Sequence, residues 1–230
     1  MISEDRAKRA GVTSIEGVPS PAANVNRFRR KRFYMLQSLL DRIAVGKDTI
    51  RLLDLGGTRA YWEGVRDLWQ HLPLDITIIN IGAEARNDPP YRLLGGDACN
   101  LAQHPNNSFD IVHSNSVIEH VGHWAEITAM AKEIQRLAPH YFVQTPNYGF
   151  PLEPHYRTLF FHWLPESVRA SILTKHKLGF RGPEASFHDA MRNVQTVNLL
   201  TARQMAALFP DAKIAREKFA GLSKSLIAIR

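Results

Sequence analysis

Two sets of residues in this chain have the types and spacing to do chemistry, and both fall near the ends of short apolar runs. The first set is small and polar: Asp54-Leu55-Gly56-Gly57, then Asn80, then Gly96-Asp97-Ala98, then Ser114-Asn115. Glycine has no side chain, so a Gly-Gly turn lets backbone come close to a ligand. An amide at the end of a second strand stands where dinucleotide-type sites meet ribose hydroxyls. The second set holds titratable groups. Histidine can take a proton near neutral pH, which a hydroxyl nucleophile requires before it attacks an electrophile. The candidates are His120, His155 with nearby Glu153, and His162 in the aromatic run Leu159-Phe-Phe-His-Trp163. Glu119, His120 and His123 have metal-ligand side chains, but their spacing matches no zinc pattern and no metal is expected. Plain structural readings stand beside these. Asp97 can cap a turn, Asn80 can satisfy a turn amide, His120 can buttress its loop, and His162 can simply pack.

The elements that must position these residues alternate. Residues 28–43 carry Phe33, Leu36, Leu39, Leu40 and Ile43 at helical spacing. Strands are expected over 50–55, 76–81, 91–94, 109–113 and 141–145. Helices are expected between them, one through Tyr61, Val65, Leu68, Trp69 and Leu72, another from Val121 to Leu137. Strand, helix, strand in this order implies a parallel sheet with right-handed crossovers. All the small and polar candidates then lie at the carboxyl ends of strands, the side on which open α/β sheets bind ligands. Residues 147–198 break the rhythm, with four prolines and many aromatics, and a stretch of that length is more often functional than idle. Thr201-Ala-Arg-Gln204 reads as a capping box. Two strands, 212–219 and 223–229, form a terminal hairpin, and residues 1–26 read as a mobile N-terminal arm.

Composition narrows the class. The 230 residues, 44% of them hydrophobic, suit one globular domain over 27–230. No apolar run is long enough to span a bilayer, and the charged N-terminus lacks a signal-peptide core. With a single cysteine, Cys99, no internal disulfide framework can form, and a cytoplasmic location is expected. The formal charge is +7, much of it in Arg27-Phe28-Arg29-Arg30-Lys31-Arg32. That cluster could contact phosphate, though a solvated helix start is the simpler reading.

Taken together, Asp54-Leu-Gly-Gly, Gly96-Asp97-Ala98 and the run Asn107-Ser-Phe-Asp-Ile-Val-His-Ser-Asn-Ser-Val-Ile-Glu-His120 resemble the class I S-adenosylmethionine-dependent methyltransferases of the broad methyltransferase-11 type. The resemblance runs from about Ile50 to Pro146. It implies an α/β, Rossmann-like fold, with a mostly parallel seven-stranded sheet ending in an antiparallel hairpin. It also implies roles. Asp54, Gly56 and Gly57 would cradle the methionine end of S-adenosylmethionine, with Asn80 on its ribose. Asp97 would meet the adenine amino group and Ala98 the ring, while Ser114 and Asn115 would line the sulfonium side. Thr58 and Ala60 stand where further glycines are usual, so Thr58 joins the cofactor turn as a departure. Asn80 replaces the usual acid, which Glu84 could supply.

Methyl transfer from a sulfonium asks the protein mainly to align an acceptor and exclude water. The resemblance implies an enzyme acting on a small-molecule, glycan or lipid-linked acceptor; by their position His155 or His120 is the expected base, and 147–198 an acceptor-side insertion or lid. An RNA methyltransferase is the alternative that the basic cluster suggests, and nucleic acid is the less favoured partner. A cofactor-binding protein without turnover is a further alternative. A nicotinamide oxidoreductase is disfavoured by the missing Gly-x-Gly-x-x-Gly.

Overall fold

The computed structural model describes residues 27–230, so the expectation for residues 1–26 lies outside the described residues. Helix α1 (Arg27–Ala44) precedes β1 (Ile50–Leu55), and α2 (Arg59–Glu63) and α3 (Arg66–Trp69) lead to β2 (Leu74–Asn80). The short β3 (Arg86–Asp88) and β4 (Tyr91–Gly95) precede β5 (Ile111–Asn115), a 3-10 turn (Ile118–His120), α4 (Trp124–Leu137) and β6 (His140–Pro146). Later come β7 (Leu152–Glu153), β8 (Thr158–Leu159), α5 (Glu166–Leu173), α6 (Phe187–Val194), α7 (Ala202–Leu208), β9 (Lys213–Phe219) and β10 (Leu222–Ile229).

Eight strands form one sheet in the order β3-β4-β2-β1-β5-β6-β10-β9. Strands β4, β2, β1, β5 and β6 are parallel. Strand β10 runs antiparallel to both β6 and β9. The seven expected strands are all present, and β3 adds an eighth by pairing back on β4. From β1 the chain winds outward to β2 and β4, then returns to β5 on the other side. The crevice between the ends of β1 and β5 is therefore the topological switch point, where such sheets bind ligands.

Each face of the sheet is covered as the apolar periods require. The α1 residues Phe33, Leu36, Leu39, Leu40 and Ile43 are all buried against one face, with Trp62, Val65 and Trp69. Each such side chain contributes roughly 1.5–3 kcal/mol of burial. On the other face, Ile127, Met130, Ile134 and Leu137 of α4 pack with Met205 and Leu208 of α7. The capping box at Thr201 and Gln204 forms as its spacing predicts.

Strand ends move by one or two residues from the sequence reading, and three differences matter for the site. The helix expected through residues 61–72 is split into α2 and α3. The Trp69 indole N–H donates to the Trp62 carbonyl at 2.9 Å, an acceptor that a continuous helix would give to residue 66. Helix α4 begins at Trp124 rather than Val121, because Gly122 takes φ +135° and His123 becomes the N-cap. Strand β5 spans 111–115 rather than 109–113, which moves every later residue two places relative to the strand end.

Residues 147–198 leave and rejoin the sheet edge at one place. Asn147 pairs with Leu200, and the Tyr148 N–H donates to the Leu200 carbonyl at 2.9 Å. The excursion has a small core of its own, built from Tyr156, Phe161, Ala170, Leu173, Ala190 and Val194.

Candidate functional site

A cleft of about 290 Å³ opens at the switch point. Gly56, Asn80, Gly96, Asp97 and Ala98 line one side, and Ser116, Val117 and His120 line another. Gly56 follows β1 with φ +73°, a conformation that costs glycine little. A Cβ there would fall 2.5 Å from a methyl of Val117, so the glycine also lets the loop after β5 approach. Gly96 is equally confined, its Cβ falling 2.9 Å from Ile79. The backbone at both positions thus reaches the cleft unobstructed. Asn80 donates from Nδ2 to the Gly57 carbonyl at 2.9 Å, tying the end of β2 to the turn after β1. Asp97 Oδ1 accepts the Cys99 N–H at 2.9 Å. The turn-capping reading of Asp97 therefore holds, Asn80 satisfies a turn carbonyl rather than the expected amide, and both residues also line the cleft.

The remaining residues of the expected cofactor set lie behind this surface. Asp54 is fully buried, and its carboxylate accepts the Trp62 indole N–H at 2.6 Å and meets His113 Nδ1 at 2.7 Å. Asp54 and His113 are register partners across β1 and β5, so their side chains share one face of the sheet. Gly57 leaves room for that carboxylate, since a Cβ would sit 1.6 Å from Asp54 Oδ2. Thr58 caps α2 by accepting the Tyr61 N–H. Ser114 lies inside the sheet with its hydroxyl buried and without a partner among the described residues. The two-residue shift of β5 puts Ser116 and Val117 at the cleft, with Ser116 at φ +59° and its hydroxyl donating to Gln144.

Asn115 does not line the cleft either. Its Oδ1 accepts from Arg32 at 2.5 Å, and the same guanidinium nitrogen bonds to Gln144. Arg32 Nε stands 3.4 Å from Glu217 on β9. Burial holds this guanidinium below its ordinary pKa, and the charge of Glu217 opposes that shift. Of the basic cluster, then, Arg32 is an internal tie across β5, β6 and β9. Arg30 pairs with Asp67 at 2.5 Å, and Arg29 and Lys31 are exposed. Arg32 was legible in principle, because it lies one helical turn before Leu36 on the buried stripe of α1.

Beside the cleft, the titratable candidates gather. Glu119 is fully buried, one oxygen accepting the Thr145 hydroxyl at 3.0 Å and the other without a partner among the described residues. Burial raises its carboxyl to about 7. His120, on the cleft wall, has Nδ1 3.1 Å from the Thr196 carbonyl, which can only accept, so Nδ1 carries the proton. Burial and the neighbouring His155 lower this imidazole to about 4. His155 Nδ1 lies 2.8 Å from buried Glu153, and the His120 and His155 rings meet edge to face at 4.7 Å. Glu153 also accepts the Tyr156 N–H at 2.6 Å and borders a second cavity of about 250 Å³, with Tyr148, Tyr156 and His162. His162 is held by the Tyr148 carbonyl, a packing role. His123 caps α4 and lies outside this group, so His155 takes the third place beside Glu119 and His120.

The excursion closes part of the cleft. Arg192, Gln195 and Thr196 from the end of α6 line it. The Asn198 N–H donates to the Glu119 carbonyl at 2.8 Å, and its side chain to the Gly122 carbonyl at 2.9 Å.

A family profile described as a methyltransferase domain matches residues 28–212. No curated protein matches the sequence. Among solved structures, a methyltransferase from an antibiotic biosynthesis pathway of Anabaena variabilis is 16% identical, covering 81% of this chain and 64% of its own, at a TM-score of 0.47. A S-adenosylmethionine-dependent methyltransferase from Methanosarcina mazei is 16% identical, with 80% and 92% covered and a TM-score of 0.48. Phosphoethanolamine N-methyltransferase 2 of Haemonchus contortus is 16% identical, with 80% and 38% covered and a TM-score of 0.47. The chain thus spans less than two thirds of the first and the last of these. With the profile covering most of its length, and with a mostly parallel sheet in which β10 and the short edge strand β3 run antiparallel to their neighbours, the chain belongs to the methyltransferase-domain family and has the Rossmann-like fold of the class I enzymes.

Proposed function

We propose that the chain is an S-adenosylmethionine-dependent methyltransferase whose acceptor is a hydroxyl-bearing small molecule or glycan, a lipid-linked one included. The cleft lining suits the cofactor: Gly56 and Gly96 bring bare backbone to it, and a Cβ at Gly56 would strike Val117 while one at Gly96 would strike Ile79 and Leu101. Gly56 and Gly96 would offer backbone there, Asn80 would meet the ribose, and Asp97 with Ala98 the adenine. Ser116 and Val117, from the shifted end of β5, take the place given to Ser114 and Asn115. Asp54, Gly57 and Thr58 act from behind by fixing the turn. When bound, the cofactor supplies a methyl group on a positively charged sulfur, already reactive toward a nucleophile.

The observation that carries the acceptor reading is the Glu153–His155 pair, set against His120 on the cleft wall. The Glu153 carboxylate holds the Nδ1 proton of His155, which leaves Nε2 to take a proton from the acceptor hydroxyl. The same carboxylate stabilises the imidazolium that results. His120, lowered to about 4 and held by Thr196, stays neutral and shapes the wall. The end of α6 and Asn198 shield this region from water, and 147–198 serves as the acceptor-side lid. The RNA reading loses support from Arg32, which spends its charge inside the fold. Among the described residues no helix is long and apolar enough to cross a membrane.

Ligand stabilisation tests the reading. S-adenosylhomocysteine should raise the unfolding temperature with concentration, by the equivalent of about 2.7 kcal/mol at a hundred times its Kd, while NADH should not. No shift with S-adenosylhomocysteine, or a shift with NADH instead, would contradict it. Methyl transfer from labelled S-adenosylmethionine to hydroxyl acceptors then separates an enzyme from a protein that only binds.

A further inference from the structure

Glu119, His120 and His155 come from two separate parts of the chain, yet one donor atom of each lies within 4.8 Å of the others. Glu119 is fully buried, with Oε1 lacking any hydrogen-bond partner among the described residues. A buried carboxylate oxygen left in that state is costly unless something else satisfies it. Both imidazoles have Nδ1 engaged with an acceptor, His120 with the Thr196 carbonyl and His155 with Glu153. Each therefore keeps its lone pair on Nε2. This is the outer arrangement found around metal-binding histidines, where a carbonyl or carboxylate fixes the tautomer and makes the ring more basic. Two imidazoles and one carboxylate also form a donor set suited to zinc, with a fourth position left over.

We propose that Glu119, His120 and His155 bind one divalent transition-metal ion, of which zinc is the best fit to the donors. Bonds of about 2.0–2.2 Å set tetrahedral ligand atoms about 3.2–3.6 Å apart. The donor atoms here lie within 4.8 Å of one another, so the three side chains would draw together on binding the ion. The ion gives the lone Glu119 oxygen a partner and clasps the 147–198 excursion to the turn after β5. Its position is beside the cofactor cleft, because His120 is part of that wall. The inference concerns the acceptor side of the proposed reaction and does not require His155 to act as the base. An ion on His155 Nε2 occupies the atom that would otherwise take the acceptor proton, so metal and proton compete there.

The test uses the whole chain, stripped with a chelator and titrated with Co²⁺ as a spectroscopic probe, then with Zn²⁺. One Co²⁺ per chain should bind with the visible absorption of a low-coordinate nitrogen and oxygen site, and Zn²⁺ should bleach it. Glu119→Gln and His155→Ala should each weaken binding by on the order of 100-fold, and Glu153→Gln by about 10–100-fold as an outer partner. His176→Ala, at an exposed histidine, should change nothing. Absence of stoichiometric Co²⁺ binding overturns the proposal, as does binding that survives Glu119→Gln and His155→Ala together. S-adenosylhomocysteine binding is measured on the same samples. If it persists while metal binding fails, only the metal site is lost; if it fails while metal binding persists, only the cofactor reading is.

Discussion

The carboxyl edge of the sheet has two halves built on different principles. The half beyond β1, β2 and β4 presents backbone and small side chains, with Gly56, Gly96 and Ala98 around the amide of Asn80 and the carboxylate of Asp97. Its charged neighbour Asp54 is turned inward and spent on Trp62 and His113. The half beyond β5 and β6 packs ionisable groups against one another: Glu119, His120, Glu153 and His155, with Glu119 and Glu153 almost fully buried. A cofactor that carries its own reactivity needs shape and a few hydrogen bonds, and the first half supplies only those. Proton transfer is helped by groups whose pKa values burial has moved, and in the second half burial raises Glu119 and lowers His120.

If the division is real, substitutions on each side should fail in different ways. The largest expected loss is of stability. Asp54→Ala strands the Trp62 N–H and His113 in the core and should cost about 3–5 kcal/mol, lowering Tm by roughly 6–20 °C. Any loss of cofactor affinity should then follow from unfolding rather than from a missing contact. Arg32→Ala leaves Glu217 buried without its partner and should cost about 2–4 kcal/mol. Lys31→Ala, one residue away and exposed, should stay within about 0.5 kcal/mol. Equal effects at these two positions, by urea denaturation, would erase the distinction drawn within the basic cluster.

The half with ionisable groups also makes a prediction in pH. Glu119 has a folded pKa of about 7, above its ordinary 4.5. The folded state then holds the extra proton between these values, so this group's contribution to stability is full below 4.5 and is lost as pH rises through 7. His120 acts with the opposite sign. Its folded pKa of about 4 lies below 6.5, so its contribution is full above 6.5 and is lost as pH falls through 4. In chelator-treated protein the two should partly cancel between pH 4.5 and 6.5. Glu119→Gln should uncover a plain rise in stability with pH over that range, and should remove the decline between 6.5 and 7. Identical pH profiles for the two proteins would mean that Glu119 is not buried as described.

Most of the fold was readable because its rules are local. Apolar period, strand order and the α1 stripe of Phe33 to Ile43 all follow from spacing within one element. So did the cleft residues Gly56, Asn80, Gly96, Asp97 and Ala98, since each follows the end of its own strand. Ser114 and Asn115 were displaced by Ser116 and Val117 for a small reason with a large consequence. Strand ends are poorly marked in Phe109-Asp-Ile-Val-His-Ser-Asn115, and a shift of two residues moves the cleft surface along the chain. The inward turn of Asp54 depends on Trp62 and His113, eight and fifty-nine residues away. His155 meeting Glu119 depends on how a fifty-residue excursion folds back, and no local pattern encodes that. His123, the histidine nearest in sequence to Glu119 and His120, is not part of that group.

The measurement that bears most directly on the two-part edge is calorimetric titration of S-adenosylhomocysteine into three proteins: wild type, Asp97→Ala and His155→Ala. Wild type should bind one equivalent. Asp97→Ala should bind at least tenfold more weakly, about 1.4 kcal/mol, with Tm lowered by less than about 4 °C. His155→Ala should bind within about twofold of wild type. Wild type that does not bind, or His155→Ala weakened as much as Asp97→Ala, would contradict the account.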